Sequence, residues 1–282
     1  MIHSMRVKHK KISIGSGLLT TLSIAFAIIF LAPVVWAFFV SLQYEGKQIT
    51  GVVDWFTPPY TIQNYLGLLI GSEVTRWLFN SLFVAVLVTV FTVLFSAMAA
   101  YALAKLKFAG KKSLMAYFMI GMMVPGEATV VPLFITANGL HLIDTYAGLI
   151  LPFVAVSMNL VILATFFKGI PDSLLEAAKI DGAGELTVFF KILMPLSKAV
   201  LSTVCIFAFI GSWNNYLWPM LCAMDSSKFT LPVGIPTFAG TYTVDYVKPM
   251  TAYMIASLPV IIIYIIFERQ LVEGIAMSGV KG

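Results

Sequence analysis

A chain of 282 residues that is 60% hydrophobic and only 11% charged carries more apolar surface than a soluble fold of that size buries, with less than half the usual share of charge. The net charge of +5 could suit a nucleic acid, but the basic residues stand at the ends of apolar runs rather than on one face, so they read as a membrane topology signal and no nucleic acid is expected. Cys205 and Cys222, in or at the end of one apolar run, imply packing residues and no disulfide framework.

Residues 1–11 hold Arg6, Lys8, Lys10 and Lys11, and then no charge appears from Ile12 to Tyr44. That run suits a tilted span, and it is too long, and too poor in a small-residue cleavage site, for a cleavable signal peptide. A first transmembrane helix is predicted at 18–42 with a kink at Pro33, followed by an exterior loop at 43–76 with Pro58-Pro59 as a stiff turn. The second span, 77–104, is uncharged, and its inner half (Ser96, Ala97, Ala99, Ala100, Ala102, Ala104) lets a neighbouring helix come close. After the basic loop at 105–112 come a third span at 113–136, interrupted by Pro125, Gly126, Glu127 and Pro132, and a fourth at 145–167. A polar island at 168–198 separates these from a fifth span at 199–221 and a sixth at 251–268, with an inner tail at 269–282.

The fold class is therefore all-α: one polytopic membrane domain, 1–282, of six spans with both termini on the same side. Segments expected inside hold 14 of the 18 Lys and Arg, and those outside hold Lys47, Arg76, Lys228 and Lys248, which puts both termini in the cytoplasm.

In the island, Pro171 and Asp172 suit a helix start, and Leu174, Leu175, Ala177, Ala178 and Ile180 form an apolar side with Glu176 and Lys179 facing elsewhere. Asp181-Gly182 closes that helix, because Gly accepts the left-handed conformation of a helix C-terminus. A second short helix carries Phe189, Phe190, Ile192 and Leu193 and is limited by Pro195.

No G-x-x-x-x-G-K-[ST], H-E-x-x-H or G-x-S-x-G occurs, and His3, His9 and His141 are too scattered for a metal site. The chain is expected to be no enzyme and to hold no cofactor.

Intramembrane polar residues are pathway candidates by default. Glu127 lies 14 positions after Ser113, about 21 Å along a continuous helix and so in the outer third of the bilayer. Asn214 and Asn215 reach a similar depth counted from Ala199, and Trp213, Tyr216 and Trp218 flank them with aromatic rings. An interfacial aromatic belt is the competing reading. Asn159, near the middle of the fourth span, is a further candidate, or makes a helix–helix hydrogen bond.

Glu176-Ala177-Ala178, Asp181-Gly182-Ala183, Phe189, Ile192 and Pro195 resemble the EAA loop of bacterial ABC-importer permeases, although Ala199 stands where that family often has a second proline. The strings Asn64-Tyr65-Leu66, Trp77 to Leu82, Asp144 to Gly148, Trp213 to Pro219 and Gly274 to Gly282 resemble carbohydrate-uptake permeases of the maltose-transporter type, in particular the second permease subunit. The resemblance implies a type I importer permease fold in the bacterial inner membrane. It also implies a heterodimer with a homologous permease, two cytoplasmic ATPase subunits that carry ATP and Mg, and an extracytoplasmic solute-binding protein. Under it, Glu176, Ala177, Ala178, Asp181, Gly182, Ala183, Phe189 and Pro195 form the ATPase-coupling site. The outer loop 222–250 would reach the binding protein, and the tail 273–282 the ATPase dimer. Glycerol phosphate or peptides stay open as solutes. An ion-driven carrier and a scaffold without a conduit stay open as rivals. The spans, however, lack the buried charges, apart from Glu127, that an ion-driven carrier uses.

Overall fold

The computed structural model describes residues 14–47, 51–238 and 246–279, with side chains described within 17–268. Among the described residues there is no strand. The helices are α1 (Ile14–Ser41), α2 (Gln63–Gly71), α3 (Val74–Lys105), α4 (Lys111–Gly121), α5 (Val130–Gly139), α6 (Tyr146–Ile150) and α7 (Ser157–Gly169). They continue with α8 (Asp172–Ile180), α9 (Glu185–Leu196), α10 (Lys198–Trp213), α11 (Leu217–Cys222), α12 (Leu231–Gly234) and α13 (Val247–Gly279). Gly17–Ser41, Val74–Lys105 and Val247–Glu268 are each long and apolar enough to cross a bilayer, and three bent helix pairs bring the possible spans among the described residues to six.

The bends correct the straight spans expected from hydropathy. The third span is two segments, Lys111–Gly121 and Gly126–Gly139, at 98° to each other. Pro125 has no N–H to donate and disfavours helical backbone at Val124, so the helix stops there. The rise counted from Ser113 to Glu127 therefore does not measure depth. In the fourth span, Tyr146–Phe153 meets Ser157–Lys168 at 42°, with Asn159 in the first turn of α7, just past the bend and still near the middle of the span. The fifth ends at Trp213 rather than 221, with Asn214 as its cap and α11 as a separate short helix. The sixth begins at Val247, and its backbone stays helical through Gly279, so the expected tail extends the helix as far as it is described. Val280 to Gly282 lie outside the described residues, as does the Thr241-Tyr242-Thr243 part of the outer loop.

α3 is the central element. At one end of the molecule its small residues do what their sizes allow: Ala97 and Ala100 are fully buried against Leu163, Ala164 and Phe167 of α7 and Val204 of α10. This end is basic, carrying Lys105, Lys107, Lys111 and Lys168. At the opposite end Trp77 and Ala85 pack with Phe209, Trp213, Leu231, Ile235 and Ala252. A third cluster joins Val84 and Val88 to Leu149, Trp218 and Cys222. Lys111 Nζ closes the basic end of α3 by donating to the carbonyls of Ala104 (3.1 Å) and Leu106 (2.9 Å), which the last helical turn leaves without partners.

Gly148 sits where α6 crosses the loop before it. A Cβ there would lie 2.0 Å from the Leu142 carbonyl oxygen and 2.9 Å from Cys222 Sγ, whereas one on Gly139 would meet open space. Gly148→Ala should lower stability by about 1–3 kcal/mol, the cost of overpacking a closed site. Gly139→Ala should leave the thermal midpoint of the detergent-purified protein unchanged, and the two midpoints measured side by side check both.

Candidate functional site

At the basic end, α8 and α9 form a knob on the ends of α3 and α7. The helix closes as its sequence dictates: Gly182 takes φ +86°, its N–H donates to Lys179 O (3.0 Å), and Ala183 N–H donates to Ala178 O (2.9 Å). This pair of bonds is the left-handed helix closure that Gly favours. The expected single apolar side of α8 is split. Leu175 is buried and Ala178 half-buried against the bundle, while Leu174, Ala177 and Ile180 point out with Glu176. Ile180 is 86% exposed and Leu186 67%, so the knob presents apolar side chains away from its own core. Asp181 and Gly182 are exposed, Ala183 is half-buried and Pro195 is exposed near the end of α9. Phe189, by contrast, is buried and packs on the Tyr101 ring at 5.5 Å, which makes it part of the knob's foundation.

Polar contacts fix the knob to α3. Lys105, whose side chain is only 5% exposed, donates from Nζ to Ile170 O (2.5 Å) and pairs with Asp172 Oδ1 (2.6 Å). Its hydrogen bond and charge hold the Asp172 carboxyl below the usual carboxylate range. Tyr101 O–H donates to one oxygen of Glu185, and Lys179 of α8 pairs with the other. Those bonds, that of Lys179 first, lower the pKa of Glu185. Sequence reasoning missed all four contacts. The available signal was the i, i+4 spacing of Tyr101 and Lys105, two polar residues on one face at the end of an apolar helix.

The opposite end explains the other shared strings. Trp77 Nε1 donates to Ser226 O (3.0 Å), Asn80 Nδ2 to Ser227 O (2.8 Å) and Phe229 O (2.9 Å), and Ser81 Oγ accepts from Leu231 N (2.8 Å). Tyr146 O–H donates to Asn80 Oδ1 (2.8 Å), and Trp218 Nε1 to Gly148 O (2.9 Å). Asp144 accepts from the N–H groups of Met224 (3.0 Å) and Asp225 (3.1 Å) and pairs with Lys228 (3.0 Å), a bond that, more than any other, lowers its pKa. Asn64 Nδ2 donates to Ser41 O (2.9 Å) and Gln43 O (2.7 Å), tying α2 to the end of α1. The strings are clasps that hold loops.

The pathway residues from the sequence do not gather at one point. Trp213 is buried and stacked on Phe209 (5.6 Å, 15°), while Asn215, half-buried, accepts from Trp218 N at 3.4 Å as the start of α11. Glu127 is exposed directly after the 98° break, and Asn159 is 4% exposed in the first turn of α7. Trp213 and Asn214 do share a groove of about 410 Å³ between α10, α12 and α13. Its wall includes Tyr253 and Ser257, which the sequence reading passed over despite their i, i+4 spacing on an apolar helix. Three groups in it can engage a polyol: the exposed Asn214 amide, the Ser257 hydroxyl and the Tyr253 ring and hydroxyl. Among the described residues no group of three or more His, Cys, Asp or Glu could hold a metal ion.

Residues 93–276 match the family of binding-protein-dependent transport system inner membrane components, which covers the basic loop, the knob and the last four spans. The chain belongs to that family and is a transporter permease subunit. It is 34% identical over 267 residues to the arabinooligosaccharides transport system permease protein AraQ of Bacillus subtilis, across 94% of this chain and 95% of that one. It is also 34% identical to the trehalose transport system permease protein SugB of Mycobacterium tuberculosis, across 94% and 97%. The trehalose/maltose transport system permease protein MalG of Thermococcus litoralis is 32% identical, across 92% and 95%. In fold the chain is similar to a crystal structure of a bacterial ABC transporter involved in the import of the acidic polysaccharide alginate. The TM-score is 0.81 at 22% identity, over 94% of this chain and 99% of that one.

Asn80 makes three side-chain hydrogen bonds, as many as Asp144. Asn80→Ala strips partners from two loop carbonyls and the Tyr146 hydroxyl, so stability should fall by about 1–3 kcal/mol for the groups left unpaired. A lowered thermal midpoint together with faster amide exchange over 226–231 is the expected result.

Proposed function

We propose that this chain is half of the transmembrane conduit of an ATP-driven carbohydrate importer, and that the α8–α9 knob couples it to an ATPase. The observation that carries this reading is the outward apolar face of the knob. Leu174, Ile180 and Leu186 are held in water-facing positions on a rigid base, where isolated protein gains nothing from exposing them. A cleft in a separate ATPase subunit would bury them, and the Gly182 turn sets the angle at which α8 enters it.

The positive-inside bias orients the knob and both termini to the cytoplasm. All of 1–282 then acts as one permease domain, the second of a heterodimeric pair, with two ATPase subunits below and a solute-binding protein outside. ATP and Mg belong to the ATPase subunits. Closure of the ATPase pair would draw two such knobs together and switch the permeases between two packed arrangements. The sugar specificity of the named relatives supports a sugar or oligosaccharide as solute. Within the pathway we assign Asn214, with Trp213 beneath it, to the groove shared with Tyr253 and Ser257. Glu127, Asn159 and Asn215 line the approaches at the helix breaks.

ATP-dependent uptake in vesicles, with the ATPase co-purifying, is the direct test; no ATPase neighbour captured by a cysteine at position 176 would end the coupling reading. Gly182→Val forces a β-branched residue into positive φ, a strain of about 1–2 kcal/mol. Transport and ATPase capture should fall together in that variant. Asn214→Ala and Glu127→Ala should lower uptake at an unchanged amount of assembled complex, and normal uptake kinetics would remove either residue from the pathway.

A further inference from the structure

Tyr101 and Lys105 stand one turn apart on the same face of α3, and between them they grip both halves of the knob. Lys105 takes hold where α8 begins, through the Ile170 carbonyl and the Asp172 carboxylate. Tyr101 takes hold where α9 begins, through Glu185, whose other oxygen binds Lys179 of α8. The Glu185–Lys179 pair thus bridges α8 and α9 across the Gly182 turn. The Tyr101 ring is 6% exposed and backed by Phe189, and the Lys105 side chain is 5% exposed. Contacts with such shielded donors are stronger and more directional than an open surface pair.

Among the described residues, the rest of the packing of the knob around α3 is apolar and so less directional. Leu175, Val188, Phe189 and Leu193 meet Ala97 and Ala100, small residues that resist translation little. The polar grips are the directional contacts between the knob and α3. We infer that Tyr101 and Lys105 are positioning residues of the transport cycle, which make α3 the rod that carries displacement of the knob to the opposite end. There α3 holds the loop 226–231, which leads into the groove wall at Leu231, through Trp77, Asn80 and Ser81. Without the two grips the knob would still dock on the ATPase, but its movement would be spent in slip against α3. The inference rests on the reading of the knob as the ATPase-docking element.

The test uses the assembled transporter in proteoliposomes with its binding protein, and reads solute transported per ATP hydrolysed. Tyr101→Phe keeps the ring and removes the bond to Glu185; Lys105→Met keeps the stem and removes the charge. Each should retain its ATPase subunits yet transport about three- to tenfold less solute per ATP, the scale of one ordinary intramolecular hydrogen bond. Lys105→Arg, which keeps donors and charge, should recover most of that ratio. Wild-type ratios in Tyr101→Phe and Lys105→Met would overturn the inference. So would a loss of transport that only follows a loss of assembled complex, at an unchanged ratio. Ile180→Asp separates the two levels. If that variant keeps ATPase capture and transport, the docking reading itself falls. If it releases the ATPase while Tyr101→Phe and Lys105→Met behave as wild type, only the role of the grips falls.

Discussion

The structure depends on α3 supplying polar partners at both of its ends to backbone that has left the regular helices. A loop carbonyl at the edge of the hydrocarbon cannot rely on water, and one left unpaired there costs several kcal/mol. Asn80 answers two such carbonyls and Trp77 a third, while Lys105 answers Ile170 at the basic end. From Trp77 to Lys105 is 28 residues, about 42 Å at 1.5 Å per residue, which exceeds the hydrocarbon thickness and brings both sets of side chains to the interfaces. Because α3 lacks a break, whatever is fastened at one end is held at a fixed distance from what is fastened at the other.

The bent spans complement that rigidity. Two of the three bent pairs break at 122–125 and 154–156, next to Glu127 and Asn159, and the third breaks at Ser197, where α9 meets α10 at 84°; Asn214 and Asn215 follow the end of α10. The unbroken apolar helices Gly17–Ser41 and Val74–Lys105 carry none of these. Irregular backbone at membrane depth is tolerated where it is covered by protein or lines a water-filled space, and not against lipid. The polar residues beside the breaks at 122–125 and 154–156 are consistent with backbone that is covered by protein or lines a water-filled space. The uninterrupted α1, with Phe26, Ile28, Ile29 and Phe30 exposed, has the surface of a helix that meets lipid.

How much of this could be read in advance depended on whether the signal was local. The helical class, the uncharged runs and the Gly182 closure are local, and the structure follows them, down to the positive φ of Gly182. The broken third span was half visible: Pro125 and Gly126 marked the place, but the 98° angle between the two segments is a three-dimensional quantity that no window of sequence contains. The outward turn of Leu174 and Ile180 went against the amphipathic reading because such a reading assumes one buried side. A helix that docks on its own protein by one stripe and offers another to a partner has two. Tyr101–Glu185 and Lys105–Asp172 were out of reach for a different reason, since their partners are 84 and 67 residues apart and nothing in either neighbourhood names the other.

The clasp residues also bear on why resemblance identifies the architecture more readily than the solute. Trp77, Asn80, Ser81, Asp144, Gly148, Asn64 and Trp218 are committed to the chain's own backbone or to packing, so a change of solute leaves their task untouched. Proteins named for arabinooligosaccharides and for trehalose are each 34% identical to this chain. Selectivity contributed by this subunit then has to come from groups with free hydrogen-bonding capacity on the groove wall. On the pathway proposed above, Asn214 and Tyr253 border open volume, as does Ser257, whose hydroxyl donates to Met254 O (2.7 Å) and keeps its lone pairs free to accept. Under that proposal, fold and cargo fall on different residues of the same helices.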